Sequence, residues 1–525
     1  MKSLFGVACG AAMFLADPFA PSAKADKRPN VLFIAVDDLR PELGCYGVKK
    51  IKTPNIDRLA KSGVVFTHAY CQQAVCSPSR TSLMTGLRPD NVKVWDLHTH
   101  FRDTRPDAIT IGQTFKNAGY FVKGVGKIFH TAPMNDPATW SDKWTGGIWN
   151  PNKKYPHIGP VYSKKGIEEI SKRAKEAGYD GDPLQLRSIH QLNKLKISPP
   201  WGDAPDIPDE VLNGCAMAVQ AGKWMKDLKQ KKEPFFLAIG FYKPHLPFIA
   251  PKKYFDMYPL DKIELPPNMA APKGAPDYAL TNFGELRHYH GIPKGREKIS
   301  EEKAKKLIQG YYACVTYVDA QIGKLLDSLK KEGLTENTNI VLWGDHGWQL
   351  GEHGLWCKHT NFEEATHAPL IFRAPGKCKA GSKSPAMVEF VDIYPTLCQL
   401  SGIPIPKGVD GRSLVPLLEN PDEKWPYAAF SQYPRPRSRH GSLMGYSMRV
   451  PRYRLTLWKK WSKDEIPGKT VGIELYDYEK DPRGTVNVAA DPEYKKTLEK
   501  LKERFNKTWG DICPENYKRE MASEQ

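Results

Sequence analysis

A chain of 525 residues with 40% hydrophobic content is too long for one small domain and can bury a large core, which excludes a disordered or peptide-sized protein. Lysine and arginine exceed aspartate and glutamate by 18, a field that favours polyanionic partners. No nucleic-acid-binding motif accompanies that charge, so an acidic substrate such as a sulfated glycan suits it better than nucleic acid.

The N-terminus reads as a secretory leader. Lys2 gives a positive start, Leu4 to Leu15 is apolar, and Ala23-Lys24-Ala25 is a small-x-small site, so cleavage is expected after Ala25 and the protein is expected to be secreted or periplasmic. No later apolar run is long enough to suggest a membrane span. The ten cysteines show no CxxC repeat of a zinc module, and their spacing assigns no disulfide.

VLFIAV (31–36) is a continuous run of branched and aromatic apolar residues, the pattern of a strand buried on both faces. A helix is expected over 109–119, a strand over 120–125, and a third strand over PFFLAIGF (234–241). Residues 301–332 carry apolar positions at helical spacing, with Gly333 as the stop, and NIVLW (339–343) is the next buried strand. Strands alternating with helices predict an α/β protein with a large, mostly parallel sheet covered on both faces. Residues 145–210, rich in Lys, Pro and Gly, are expected to form a surface insertion in a main domain spanning 26–410. From 411 to 525 the pattern changes to short strands (YRLTLW, 453–458; IELYDYE, 473–479) and a charged helix near 492–506, predicting a smaller C-terminal subdomain on an antiparallel sheet.

Four polar clusters follow predicted strands: Asp37-Asp38, Lys127 with His130, Lys243 with His245, and Asp345-His346. The carboxyl edge of an open α/β sheet is where ligands bind. Any one cluster alone is explained by turns and caps; four at equivalent places are not. Asp37, Asp38 and Asp345 suit a hard divalent cation such as Ca²⁺ or Mg²⁺, although His346 is a less usual neighbour for Ca²⁺. Arg80, Lys127, His130, His245 and Lys358 would stabilise a tetrahedral oxyanion. Cys76, in CQQAVCSPSR (71–80), is by residue chemistry alone a nucleophile, a ligand or a buried thiol.

CSPSR (76–80) and the following TSLMTGLRP resemble the signature of the type I sulfatases, in which the cysteine is oxidised to formylglycine. Within that family the chain is most similar to iduronate-2-sulfatases, through VDDLRPELGCYG (36–47), VGKIFH (125–130), YKPHLPF (242–248), GDHGWQLGEHGLWCKHTNF (344–362), SQYPRPR (431–437) and MGYSMRVPRYRLTLW (444–458). The resemblance implies an alkaline-phosphatase-like fold, with Asp37, Asp38, Asp345, His346 and modified Cys76 holding Ca²⁺. It implies that Arg80 braces the formylglycine, Lys127 and His130 orient its hydrate and the sulfate, His245 and Lys358 bind sulfate oxygens, and His245 serves the leaving alcohol. One hydroxyl of the hydrate would attack sulfur and the second would expel sulfate, which a serine could not do. A formylglycine-generating enzyme is the implied maturation partner, and a 2-O-sulfated uronic acid of a glycosaminoglycan or other sulfated oligosaccharide the implied substrate. His98, His100, Arg435, Arg437 and Arg439 are candidates for binding its carboxylate. The competing readings are a phosphate or phosphonate ester hydrolase of the same architecture, and a non-catalytic binder of sulfated glycans.

Overall fold

The computed structural model describes residues 28–147, 154–231, 233–295, 297–463 and 468–512. The expected leader and its cleavage site lie outside the described residues, as does the side chain of Arg437.

Among the described residues a seven-stranded sheet is built from β1 (Asn30–Val36), β2 (Val64–Tyr70), β3 (Phe121–Gly126), β4 (Phe235–Phe241), β5 (Thr338–Gly344), β6 (Leu370–Arg373) and β7 (Ser382–Glu389), in the spatial order β7-β2-β6-β5-β1-β4-β3. β1 lies between β4 and β5, parallel to both, and β6 runs antiparallel to β5 and β2. The sheet is therefore mostly parallel, as the alternating pattern predicts. Every residue of β1 is buried. Leu32, Ile34 and Val36 join one core cluster and Val31, Phe33 and Ala35 the other, because alternate side chains leave opposite faces. That two-sided burial is why the run shows no polar alternation.

The helix Glu301–Lys331 covers one face with Leu307, Ile308, Tyr311, Val315, Val318, Ile322 and Leu325. Ser300 caps it by accepting from Lys303 N–H, and Glu301-Glu302 at the start and Lys330-Lys331 at the end complement its dipole. On the other face lie helices Cys76–Thr85 and Ile111–Asn117. The latter starts two residues later than predicted because Thr110 forms a capping box with Gln113.

The chain from Ala429 onward forms a four-stranded antiparallel meander, Ala429–Ser438, Gly441–Arg449, Tyr453–Lys460 and Thr470–Asp477. It packs Phe430, Met444, Tyr446 and Leu475 against Phe505 and Trp509 of the helix Lys495–Ile512. Pro492–Tyr494 is a separate 3₁₀ turn capped by Asp491, so the helix begins after the predicted 492. Glu363 joins the two parts, accepting from Tyr70 Oη (2.7 Å), Arg449 Nε (3.0 Å) and Arg454 Nη2 (2.6 Å). The stretch expected as an aperiodic insertion holds the helix Lys164–Glu176 and a small core of its own around Ile158, Ile170 and Leu192. All described cysteines are free thiols, and no described helix is long and apolar enough to cross a membrane.

Candidate active site

Strand register assembles the site. Val36 pairs with Phe241 on one side and Gly344 on the other, so the residues just beyond all three strands emerge together at the carboxyl edge. Asp37 N–H donates to Phe241 O (3.1 Å), Asp345 N–H to Val36 O (3.3 Å) and Lys127 N–H to Gly240 O (2.9 Å). Gly240 is required by that approach, since a Cβ there would collide with the Lys127 backbone.

Cys76 opens the helix Cys76–Thr85 and is 2% exposed. Its Sγ lies 3.5 Å from Asp37 Oδ1, 3.4 Å from His346 Nε2 and 3.4 Å from Lys127 Nζ. Burial, then the charge of Asp37, pushes its thiol well above the usual range. Four residues on, one helical turn, Arg80 is fully buried and donates through Nε to Asp345 Oδ2 (2.9 Å), through Nη2 to Asp37 Oδ1 (3.2 Å) and through Nη1 to Lys127 O and Ile128 O. Lys127 Nζ pairs with Asp37 Oδ2, and Lys358 Nζ with Asp38 Oδ1 (2.9 Å).

Asp37, Asp38, Cys76 and His346 offer ligand atoms all within 4.8 Å of one another. Against the upward push of burial, the charges of Lys127 and Arg80 hold Asp37 well below the usual carboxylate range. Asp38 is different: burial raises it, Lys358 opposes, and Asp37, Glu285 and Asp345 raise it further, so it stands well above. A carboxylate pushed up by burial and by neighbouring carboxylates is one a divalent cation would relieve, and this donor set fits such an ion. Asp345 stands beside the group. Its Oδ1 accepts from the N–H groups of Asp38 (2.9 Å) and His346 (3.1 Å), and its Oδ2 lies 3.5 Å from His346 Nε2. Asp38, Cys357 and His359 hold left-handed backbone angles, φ 60°, 67° and 72°, so strain costing roughly 1–3 kcal/mol per residue collects at the site and on both sides of Lys358.

The remaining expected residues divide. His130 Nδ1 is buried without a partner among the described residues, and burial, with Lys127 next, pushes its imidazole down to about 3. His245 Nε2 lies 3.9 Å from Asp38 Oδ2. Lys243 turns away: its Nζ donates to the carbonyls of His245 and Pro247, both at 2.6 Å, bracing the loop rather than joining the charged cluster. Arg435 donates to the carbonyls of Tyr278 (2.7 Å), Ala279 (3.2 Å) and His359 (2.8 Å), beside Lys358 in sequence. His100 spends Nδ1 on capping a short helix through Arg102 N–H (3.1 Å), and His98 is exposed. Arg439 pairs with Asp277 at 3.1 Å, with its side chain 72% exposed.

Sequence reasoning missed Glu285, which meets Lys358 and His245, and Trp348, whose ring lies 5.0 Å beneath the Lys358 ammonium. Asp38, His245 and Glu285 also bring ligand atoms within 4.8 Å of one another, but the Lys358 ammonium already bridges the two carboxylates. A separate cavity of about 260 Å³ between Glu42, Lys50, Glu264, Tyr312 and Arg483 is lined by none of the expected catalytic residues.

Residues 29–403 match the sulfatase family, and 351–510 match the C-terminal part of N-sulphoglucosamine sulphohydrolase. Human iduronate 2-sulfatase is 34% identical over 532 aligned residues, covering 88% of this chain and 91% of that protein. A sulfatase of Formosa agariphila is 33% identical, covering 92% and 88%. The crystal structure of the phosphonate monoester hydrolase of Agrobacterium radiobacter superposes with a TM-score of 0.70 at 24% identity, over 93% of this chain and 96% of that one, which establishes a shared fold. With the family matched over most of its length and the fold shared, the chain belongs to the sulfatases, the sulfuric ester hydrolases.

Proposed function

We propose that the protein is a secreted sulfatase that clears the 2-O-sulfate of a uronic acid from a sulfated glycan, after a formylglycine-generating enzyme has converted Cys76. The observation that carries this reading is the surroundings of Cys76. As a thiol it is buried and its ionisation suppressed, which makes it a poor nucleophile, yet it stands among two lysines, an arginine and the donor set of a cation. Formylglycine hydrate at this position would supply the attacking hydroxyl and a second hydroxyl for release of sulfate. Ca²⁺ held by Asp37, Asp38 and His346, with Asp345 alongside, would add Lewis-acid polarisation of a sulfate oxygen.

The chain's own residues do the rest. Arg80 locks Asp37 and Asp345 in one orientation through its fork. Lys127 and Lys358 approach position 76 from the sides of Asp37 and Asp38 and would clamp the sulfate oxygens as charge develops. His245 would take up a proton as the substrate's anion enters beside it and hand that proton to the departing sugar oxygen. Arg435, whose hydrogen-bond partners are carbonyl oxygens, keeps its positive charge available for the uronate carboxylate.

Incubation of matured protein with disaccharides sulfated at defined positions, followed by measurement of free sulfate, tests the reading. Release from the 2-O-sulfated uronate is expected. Release from a 6-O- or N-sulfate alone would refute the substrate, and faster turnover of a phosphonate monoester than of any sulfate would refute the reaction.

A further inference from the structure

Asp37 and Asp38 are neighbours in sequence, yet both contribute to one group of ligand atoms lying within 4.8 Å of one another. An extended strand would send their carboxylates to opposite faces. β1 ends at Val36 and Asp37 N–H still pairs with Phe241 O (3.1 Å), but Asp38 departs at φ 60°. That left-handed residue breaks the alternation and lets the second carboxylate meet the first. Aspartate enters the region more readily than most residues, but such a conformation persists only where the surroundings over-determine it.

Three groups hold Asp38. Its N–H donates to Asp345 Oδ1 (2.9 Å), and its carboxylate accepts from Lys358 Nζ (2.9 and 3.2 Å). The third is Tyr311, in the helix Glu301–Lys331 that covers one face of the sheet. Its hydroxyl donates to Asp38 O (2.7 Å) and accepts from Arg40 N–H (2.9 Å), so one oxygen ties the peptide groups on both sides of Leu39. Asp38, Leu39 and Tyr311 are all buried, which leaves neither peptide group solvent to turn to. The Tyr311 ring is fixed as well, stacked on Trp348 at 6.3 Å and 11° and edge-on to Phe248 at 5.9 Å. Arg40 closes the circuit, donating through Nη1 to Trp348 O (2.9 Å) and through Nη2 to Glu352 Oε1 (2.8 Å).

We propose that Tyr311 is a positioning residue of the cation site: its hydroxyl clamps the Asp38–Arg40 backbone in the turn that presents the Asp38 carboxylate to a divalent ion. The hydroxyl is spent on the backbone, so Tyr311 acts through Asp38 rather than as a ligand. The assignment rests on the cation proposed above, and its readout is binding of Ca²⁺ rather than turnover.

The test is calorimetric titration of Ca²⁺ into matured full-chain protein stripped with a chelator, for wild type, Tyr311→Phe and Tyr317→Phe. Tyr317 is the control. It lies buried on the same helix, and its hydroxyl likewise accepts from a backbone N–H, that of Cys215 (3.0 Å) on the helix Asn213–Lys231. Each substitution removes one buried hydroxyl from a backbone partner and is expected to lower Tm. Only Tyr311→Phe is expected to weaken Ca²⁺ binding, by about 10–100-fold, the range for losing a group that orients a metal ligand. A Kd unchanged by Tyr311→Phe, or weakened as much by Tyr317→Phe, would mean a merely structural role and overturn the assignment. If Tyr311→Phe does not fold, hydrogen exchange in the calcium-free wild type decides. The Arg40 amide is then expected to be protected before any ion is added, and protection that arises only with Ca²⁺ would overturn the assignment. A wild type that binds no Ca²⁺ overturns the cation reading and this assignment with it; wild-type binding that Tyr311→Phe leaves unchanged overturns this assignment alone.

Discussion

Replacing Arg80 by lysine keeps the charge and removes the fork. The guanidinium is fully buried and meets Asp345 Oδ2 at 2.9 Å, Asp37 Oδ1 at 3.2 Å and the carbonyls of Lys127 and Ile128. An ammonium is a compact point charge and can keep one of the two carboxylates. The loss is one charge-assisted hydrogen bond, about 1.5–3 kcal/mol, plus a buried carbonyl or two left short of a donor, about 1–3 kcal/mol each before relaxation. A net cost of about 3–5 kcal/mol follows, the range for breaking a buried ion pair. At roughly 2 °C per kcal/mol for a long chain, Tm should fall by about 6–10 °C. Turnover should fall by about 10²-fold or more, because Asp37 and Asp345 no longer share one brace. Differential scanning calorimetry reads the first quantity. Sulfate release reads the second, normalised to the fraction of chains in which Cys76 has been converted, since Arg80 also belongs to the expected maturation signal. An Arg80→Lys protein that melts within about 1 °C of wild type, well inside the fall expected from lost buried bonds, would refute the claim that the fork organises the two aspartates.

Mass spectrometry of protein matured with a formylglycine-generating enzyme should show the peptide containing Cys76 lighter by about 18 Da, and Cys76→Ala should abolish hydrolysis; a fully active protein with an unmodified thiol would contradict both. Chelation should remove activity and lower Tm, with Ca²⁺ restoring both; a bound ion at 100 times its Kd is worth about 2.7 kcal/mol, so an unchanged melting curve would argue against a resident cation. Glu363→Gln should destabilise by about 3–5 kcal/mol, measured by urea denaturation, because two buried guanidinium groups lose their carboxylate. Against the upward push of burial, Arg449 and Arg454 hold Glu363 well below its ordinary 4.5. Its folded value is depressed, so its contribution is fully present above about pH 4.5 and lost as pH falls below that. Wild type should therefore lose more stability than Glu363→Gln between pH 5 and acid, and parallel pH profiles would refute the hub.

Legibility in the sequence followed how locally each feature is encoded. β1 and β5 announce themselves because both faces are buried and their runs VLFIAV and IVLW are apolar throughout. β6 escaped because four residues carry no period, and β2 because Thr67 and His68 interrupt its apolar run. Asp37, Asp38, Asp345 and His346 were readable because register, not loop geometry, places them: each follows directly on a strand. Lys243 fits the same rule and is turned away by the two carbonyls it serves. Glu285 has no such rule. It sits in an aperiodic loop and acquires its meaning from Lys358 and His245, which are 73 and 40 residues away. His98 and His100 show the converse, histidines in a loop whose local cap and solvent exposure already account for them.

Charge balance connects the site to its substrate class. Four buried or half-buried carboxylates, Asp37, Asp38, Asp345 and Glu285, face three cations, Arg80, Lys127 and Lys358, while burial keeps His130 and His245 near 3 and so neutral. One negative charge is in excess, and the carboxylates Asp37, Glu285 and Asp345 add to the burial that raises Asp38 above its usual range. A divalent cation added to that set leaves one positive charge, and a sulfate ester brings one negative charge to meet it. A phosphate monoester dianion would overfill the site by one charge, at a cost on the order of 4 kcal/mol for 4 Å separation and an effective dielectric near 20. A phosphonate monoester, also singly charged, passes the same balance, so the shared fold and the shared charge count go together. Under the proposed function, discrimination between those two esters must then come from what surrounds the anion: the leaving oxygen that His245 would serve, and the second anionic group that Arg435 would meet on a uronate.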